Sequence, residues 1–108
     1  MSPPIFLFTD FGFDGPYVGQ VLGAIHAVSS ELRVNDLMHD APAMEPQRAA
    51  YLLAGGARDL PADAVVVAVV DPGVGSARPS VMVEADGRRF VGPDNGLLEI
   101  VQRHAENA

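Results

Sequence analysis

The hydrophobic positions of this chain form short continuous runs separated by turns rich in glycine, proline and aspartate. The run at residues 65–70 contains only valine and alanine, which predicts a strand buried on both faces. The dipeptide Asp86-Gly87 is a strong signal for a two-residue hairpin turn between two strands. Five strands are predicted, at residues 5–9, 32–37, 65–70, 80–85 and 88–91.

Apolar residues at helical spacing predict three helices between and after these strands. The first begins at Pro16, the second begins near Glu45-Pro46 and ends at Gly55-Gly56 or shortly after, and the third begins at about Leu97. The order β-α-β-α-β-β-β-α predicts one α/β domain over residues 1–108, with a mainly parallel sheet flanked by helices. The first three strands are expected to pair in parallel.

Aspartates follow two of the predicted strands. Asp10 ends the first strand, and Asp71 opens the turn at residues 71–78, which closes with Arg78. Parallel strands bring their carboxyl ends to one edge of the sheet, where ligands bind in α/β folds. Asp10 and Asp71 are therefore expected on the same rim, where Asp36 or His39 can join them. From turn chemistry alone, an ordinary Asp-Pro-Gly turn is the simpler interpretation of residues 71–78.

Composition narrows the possible partners. With 108 residues the chain suits one small domain, and its formal charge of −7 argues against nucleic acid and anionic membranes. There is no cysteine, and no apolar stretch approaches the roughly 20 residues of a membrane span. The N-terminus also lacks the basic segment of a signal peptide. A cytoplasmic protein is expected.

Three short motifs resemble known functional sites, but the residues around each of them do not match those sites. The tripeptide Asp10-Phe11-Gly12 matches the kinase metal-binding motif, but no catalytic loop precedes it. Gly73-Val74-Gly75 lacks the spacing of a dinucleotide-binding fingerprint. His39 lies among aspartates but lacks a second histidine at ligand spacing, so no metal site is predicted.

The remaining rim of carboxylates suits a ligand that carries hydroxyl groups and positive charge. A carboxylate accepts two hydrogen bonds from neighbouring hydroxyls, so Asp10 is suited to a ribose diol. Asp71 is a weak base at neutral pH, and a nearby arginine makes it weaker. Asp71 and Arg78 are therefore better suited to orienting a water molecule than to removing its proton, which requires a good leaving group.

Five segments taken together resemble one enzyme family over nearly the whole chain. The family is the S-adenosylmethionine hydroxide adenosyltransferases, which are adenosine-forming S-adenosylmethionine hydrolases related to fluorinating and chlorinating enzymes. The segments are Thr9-Asp10-Phe11-Gly12, Gly15-Pro16-Tyr17-Val18-Gly19, Asp36-Leu37-Met38-His39, Val69-Val70-Asp71-Pro72-Gly73-Val74-Gly75 with Arg78, and Gly92-Pro93-Asp94-Asn95-Gly96-Leu97-Leu98.

The resemblance implies attack of water or hydroxide on the ribose C5′ of S-adenosylmethionine, which releases methionine and leaves adenosine. No cofactor is implied beyond this substrate. Asp10 would bind the ribose hydroxyls, and Asp71 with Arg78 would position the water. Asn95 and Met44 match segments near the nucleoside, although Met44 is equally compatible with a core or lid position.

The chain departs from the family pattern in several places. Pro79 stands where a second arginine is usual, and the segment at residues 36–39 lacks the usual threonine. Family members are more than twice as long, and their later part carries a water-positioning histidine and a C-terminal β-barrel. The family forms trimers with active sites between subunits. The resemblance therefore implies an N-terminal portion whose catalysis is incomplete, and the alternative is a non-catalytic fragment that binds S-adenosylmethionine or adenosine or associates with other subunits.

Overall fold

The computed structural model describes residues 2–12, 14–43, 45–70 and 79–105. Within these ranges no helix is long and apolar enough to cross a membrane. The elements are β1 (Ile5–Thr9), α1 (Tyr17–Val28), β2 (Val34–Met38), α2 (Pro46–Ala57), β3 (Val65–Val69), β4 (Ser80–Ala85), β5 (Arg88–Pro93) and α3 (Glu99–His104).

The described strands form one five-stranded sheet in the order β2-β1-β3-β5-β4. Strand β1 pairs in parallel with both β2 and β3, β3 pairs in parallel with β5, and only the β4–β5 pair among them is antiparallel. The predicted α/β class and the parallel pairing of the first three strands are confirmed. The chain leaves β1 in one direction towards β2 and returns to the other side of β1 as β3. The topological switch point, where α/β folds bind ligands, therefore lies between β1 and β3.

The main core lies on the face of the sheet covered by α2 and α3. Phe8, Val66 and Phe90 are almost completely buried there against Leu53 of α2 and Ile100 of α3. Alanines make up most of the buried face of α2, and this helix also lies against α3. This packing fixes the carboxyl ends of β1 and β3 beside each other.

The expected burial of β3 on both faces is wrong. Val66 and Ala68 are fully buried, whereas Val65, Val67 and Val69 are only half-buried. Right-handed crossovers place α1 on the face opposite α2, because the β1–β2 and β2–β3 connections run in opposite directions. No residue of α1 is buried, so this helix covers its face of the sheet only in part.

The hairpin between β4 and β5 has the predicted turn. Asp86 and Gly87 have φ angles of 52° and 87°, the left-handed backbone that a type I′ turn requires at both central positions. The turn lets β5 enter the sheet between β3 and β4. The carboxyl end of β5 thereby reaches the same rim as the ends of β1 and β3.

Candidate functional site

The candidate site is the rim formed by the carboxyl ends of β1, β2, β3 and β5. Asp10 directly follows β1, and its backbone N–H donates to the carbonyl oxygen of Val69 at the end of β3, at 3.3 Å. This bond spans the topological switch point. The structure thus places Asp10 where the sheet order predicts a ligand-binding crevice.

A buried pair of polar side chains lies immediately beneath Asp10. The hydroxyl oxygen of Thr9 lies 2.8 Å from Nδ1 of His39, and each residue is 1% exposed. On the other side of the imidazole ring, Nε2 lies 2.7 Å from a carboxylate oxygen of Asp36, whose side chain is 62% exposed. A continuous chain of hydrogen bonds therefore runs from the surface to the end of β1.

The turn after β1 is also held by backbone contacts to the segment that carries His39. The N–H of Gly12 donates to the carbonyl oxygen of His39 at 2.6 Å, and the N–H of Ala41 donates to the carbonyl oxygen of Thr9 at 3.1 Å. Gly12 has a φ angle of 77°, which a residue with a Cβ atom rarely adopts. The two turns at the ends of β1 and β2 therefore form one hydrogen-bonded unit.

The contact between Asp36 and His39 depends on an irregularity in β2. In a regular strand, residues three apart point to opposite faces and their side chains do not meet. The pairing of β1 with β2 shifts by one residue between Leu7 and Phe8, as in a β-bulge. His39 itself lies in a bend directly after β2, where its ring meets the Asp36 carboxylate.

Asn95 joins the end of β3 to the start of α3. Its amide nitrogen donates to the carbonyl oxygen of Val70 at 2.8 Å, and its amide oxygen accepts from the N–H of Leu97 at 3.1 Å. The carbonyls of Val69, which ends β3, and of Val70, which follows it, thus bind Asp10 and Asn95 respectively. The structure brings these two sequence-predicted residues to the same end of β3.

The other sequence-predicted site residues lie outside the described residues. They are Asp71, Arg78 and Met44, whose proposed roles stay predictions. Asn95 borders a surface depression that is otherwise lined by residues 45–48 at the start of α2. Glu45 and Arg48 in this lining form an ion pair at 3.5 Å. The depression therefore offers polar groups close to the end of β5.

Thr9 is the residue of this rim that sequence reasoning missed. Its position could have been noticed in the sequence, because Thr9 is a polar residue that ends an otherwise apolar strand. His39 was expected to join the rim, but its bonds to Thr9 and Asp36 were not foreseen. Among the described residues, no group of three or more histidine, aspartate or glutamate side chains is placed to hold a metal ion.

Comparison with known protein families gives one match over nearly the whole chain. A family model described as the SAM hydroxide adenosyltransferase N-terminal domain matches residues 5–108. Among curated relatives, proteins named (R)-S-adenosyl-L-methionine hydrolase from Thermus thermophilus and Salinispora arenicola are 45% and 42% identical over 90% of this chain. The aligned regions span only 38% and 37% of those proteins.

Two solved structures share the fold. A conserved hypothetical protein from Thermus thermophilus has a TM-score of 0.83 and 40% identity, covering 98% of this chain and 44% of that one. An uncharacterized conserved protein from Thermotoga maritima has a TM-score of 0.88 and 31% identity, covering 96% of this chain and 40% of that one. In both cases the chain corresponds to less than half of the longer protein.

Proposed function

Because this chain belongs to the SAM hydroxide adenosyltransferase N-terminal domain family, we propose that it contributes to the hydrolysis of S-adenosyl-L-methionine to adenosine and L-methionine. The observation that carries this proposal is the placement of Asp10 and Asn95 on consecutive carbonyls at the end of β3. That position is the switch point at which α/β folds bind nucleosides and their derivatives.

The proposed reaction is a displacement at the ribose C5′. The oxygen of water forms a bond to C5′ as the bond from C5′ to the sulfonium sulfur breaks. The sulfur keeps that electron pair and leaves as the neutral thioether of methionine, and the water proton passes to solvent. Because a sulfonium is a good leaving group, the reaction needs an oriented nucleophile more than it needs a strong base.

Each candidate residue has a role in this reaction. The Asp10 carboxylate accepts hydrogen bonds from the ribose hydroxyls, and the net negative charge of the chain favours a cationic substrate. Asp71 and Arg78 orient the attacking water, and the arginine favours its hydroxide form. Asn95 and Met44 would contact the nucleoside, as the family resemblance implies. No cofactor takes part.

Family resemblance also motivates a proposal about assembly. In the longer protein, a homotrimer would form each active site between an N-terminal domain and the C-terminal domain of a neighbouring subunit, and would act in the cytoplasm. The chain spans 38% of the Thermus relative, so such contributions would lie in the remaining length.

A second candidate function is binding of S-adenosylmethionine or adenosine without turnover. The same limited coverage favours it, since groups needed for catalysis can lie in the part of the relatives that this chain does not match. In that case the Asp10 rim binds the nucleoside, and the chemical step requires another polypeptide segment. Calorimetric binding of adenosine without product formation distinguishes the two candidates.

The test is to incubate the chain separately with the two sulfonium epimers of S-adenosyl-L-methionine and to quantify adenosine and methionine by mass spectrometry. Because groups needed for catalysis can lie outside this chain, we expect slow turnover, with both products in equal amounts from the (R) epimer. We also expect Asp71→Asn to lower the rate by about 100-fold. Asp63→Asn is the matched control, because Asp63 is exposed in the turn before β3. Equal rates for Asp71→Asn and the unsubstituted chain would refute the assignment of Asp71, and neither binding nor products would refute the proposed function.

A further inference from the structure

Thr9 and His39 are the buried polar side chains of the part of the molecule that the structure describes. They bond to each other; Thr9 directly precedes Asp10, and the backbone of His39 accepts a hydrogen bond from Gly12 in the turn that follows Asp10. Burying polar groups costs free energy unless they are hydrogen-bonded, so a bonded pair at this position calls for an explanation. The pair belongs to a chain of side chains that also includes Asp36, which we call the Asp36–His39–Thr9 relay.

The hydrogen bonds of the relay have one consistent set of directions when the His39 imidazole carries a single proton, on Nε2. The N–H of Phe11 donates to the Thr9 hydroxyl oxygen at 3.2 Å, which occupies one of its acceptor positions. The Asp36 carboxylate only accepts, so Nε2–H donates to it, and in that neutral tautomer Nδ1 accepts from the Thr9 hydroxyl. Both ring nitrogens of His39 and the Thr9 hydroxyl then take part in the relay.

The order carboxylate, imidazole, hydroxyl is also that of a hydrolytic triad, but burial excludes that role here. A nucleophilic hydroxyl must reach the substrate, whereas Thr9 is 1% exposed. Its oxygen also accepts the Phe11 N–H and thereby fixes the backbone. The relay therefore acts on the protein's own turn and does not attack a substrate.

The relay holds the backbone on both sides of Asp10. Thr9 precedes Asp10, and the N–H of Phe11, which follows it, donates to the Thr9 hydroxyl. The backbone carbonyl of His39 additionally accepts from Gly12 at 2.6 Å. His39 thus contacts the same turn twice, through its ring at Thr9 and through its carbonyl oxygen at Gly12. A displacement of about 1 Å at a binding group can cost 100-fold in rate, so such restraint matters for a group that binds substrate.

We propose that His39 and Thr9 are positioning residues that hold the Asp10 turn in the geometry for ribose recognition, with the exposed Asp36 carboxylate fixing the orientation of the imidazole. This inference rests on the proposed function for the ribose, while the restraint of the turn does not depend on it. Neither residue touches the substrate.

The first test reads the relay in the unliganded chain. Nitrogen-15 shifts of the imidazole rings are expected to show His39 as the Nε2–H tautomer, with His26 and His104 as internal references. Thr9→Val, which keeps the shape and removes the hydroxyl, is expected to accelerate amide hydrogen exchange at Phe11 by about tenfold or more. Thr9→Ser is expected to restore slow exchange. A proton on Nδ1 of neutral His39, or unchanged exchange in Thr9→Val, would overturn the proposal.

The second test separates positioning from stability. We expect Thr9→Val to weaken adenosine binding about tenfold by calorimetry, and Thr9→Ser to recover most of the affinity. Val66→Ala is the control, because Val66 is buried in the α2-facing core and its truncation lowers stability without touching the turn. If Val66→Ala weakens binding as much as Thr9→Val at equal loss of stability, the role of Thr9 is only structural and the proposal fails.

The two tests also separate this inference from the proposed function. If the unsubstituted chain binds neither adenosine nor S-adenosylmethionine, the proposed function fails, and so does the link of the relay to ribose. Hydrogen exchange at Phe11 then still decides whether the relay restrains the Asp10 turn. If the chain binds adenosine but Thr9→Val binds it equally well, the proposed function stands and the positioning role is refuted.

Discussion

At the scale of single residues, Gly92 allows β5 to lie against β3 just before the rim. A Cβ atom at position 92 would lie 2.7 Å from the carbonyl oxygen of Ala68, a backbone atom that cannot move without disturbing the sheet. The parallel register of β3 and β5 is recorded up to the pair Val67 and Val91, directly before this contact. The absence of a side chain at position 92 therefore sets how closely the two strands approach where Asn95 follows.

We expect Gly92→Ala to lower the free energy of unfolding by about 1–3 kcal/mol, because the added methyl group overpacks the contact with Ala68. Urea denaturation followed by circular dichroism measures the change. Gly19→Ala in the middle of α1 is the control, since among the described residues nothing beyond the neighbouring backbone of its own helix lies within 4 Å of the added Cβ. This control is expected to raise stability by about 0.5–1 kcal/mol. A neutral Gly92→Ala would contradict the close approach.

The sequence was sufficient to predict which residues lie at the rim, but not which of them contact each other. Asp10 was found because a carboxylate that follows a buried strand has a predictable location. The Asp36–His39 bond was not predictable, because a strand of regular period would point these side chains to opposite faces. The pairing shift between β1 and β2 involves residues distant in sequence, which single-sequence periodicity does not contain.

At the scale of secondary structure elements, Arg88 connects the β4–β5 hairpin to the end of α2. Its guanidinium group donates to the carbonyl oxygens of Arg58, Leu60 and Pro61, with distances from 2.6 to 3.2 Å. These carbonyls follow the last turn of α2, which contains no basic residue of its own. A cation at the C-terminal end of a helix also interacts favourably with the helix dipole. Arg88 therefore anchors the connection that leads into β3.

Arg88→Ala is expected to lower the free energy of unfolding by about 1–3 kcal/mol, as carbonyl groups lose charged donors. Arg88→Lys should recover only part of the loss, because an ammonium group does not reproduce the planar fork of a guanidinium. Arg89→Ala is the matched control, since the exposed Arg89 side chain forms no hydrogen bond or ion pair with the described residues. Urea denaturation measures both changes. Equal losses of unfolding free energy in Arg88→Ala and Arg89→Ala would exclude the anchoring role of Arg88.

Elements with strong local signals were predicted accurately. β1 and β4 have the predicted bounds, and the Asp86-Gly87 turn is confirmed because its chemistry is local. The third helix begins at Glu99 and not at about Leu97, because Asn95 accepts the Leu97 N–H in a turn before the helix. The order of strands in the sheet was not predictable, since it depends on contacts between residues distant in sequence.

At the scale of the whole molecule, the two faces of the sheet are covered unequally. One apolar row crosses the face opposite α2 and α3 along the paired residues Leu7, Val67, Val91 and Met82. Leu7 is fully buried, whereas Met82 at the other end of the row is 63% exposed. Burial thus declines from β1 to the edge strand β4. The continuous valine run of β3 predicted that both faces of this strand are buried. The face opposite α2 is only partly buried, and no residue of α1 is buried.

Truncation along this row should therefore have effects that follow the burial. We expect Leu7→Ala to lower the free energy of unfolding by about 2–5 kcal/mol, because it leaves a cavity in a closed part of the molecule. Met82→Ala is expected to change it by about 0.5 kcal/mol or less, since most of that side chain already contacts water. Both are measured by urea denaturation at several protein concentrations. A loss in Met82→Ala that matches Leu7→Ala and grows with concentration would mean that another copy of the chain covers this end of the sheet. A matching loss that is independent of concentration would mean that residues of the same chain cover it.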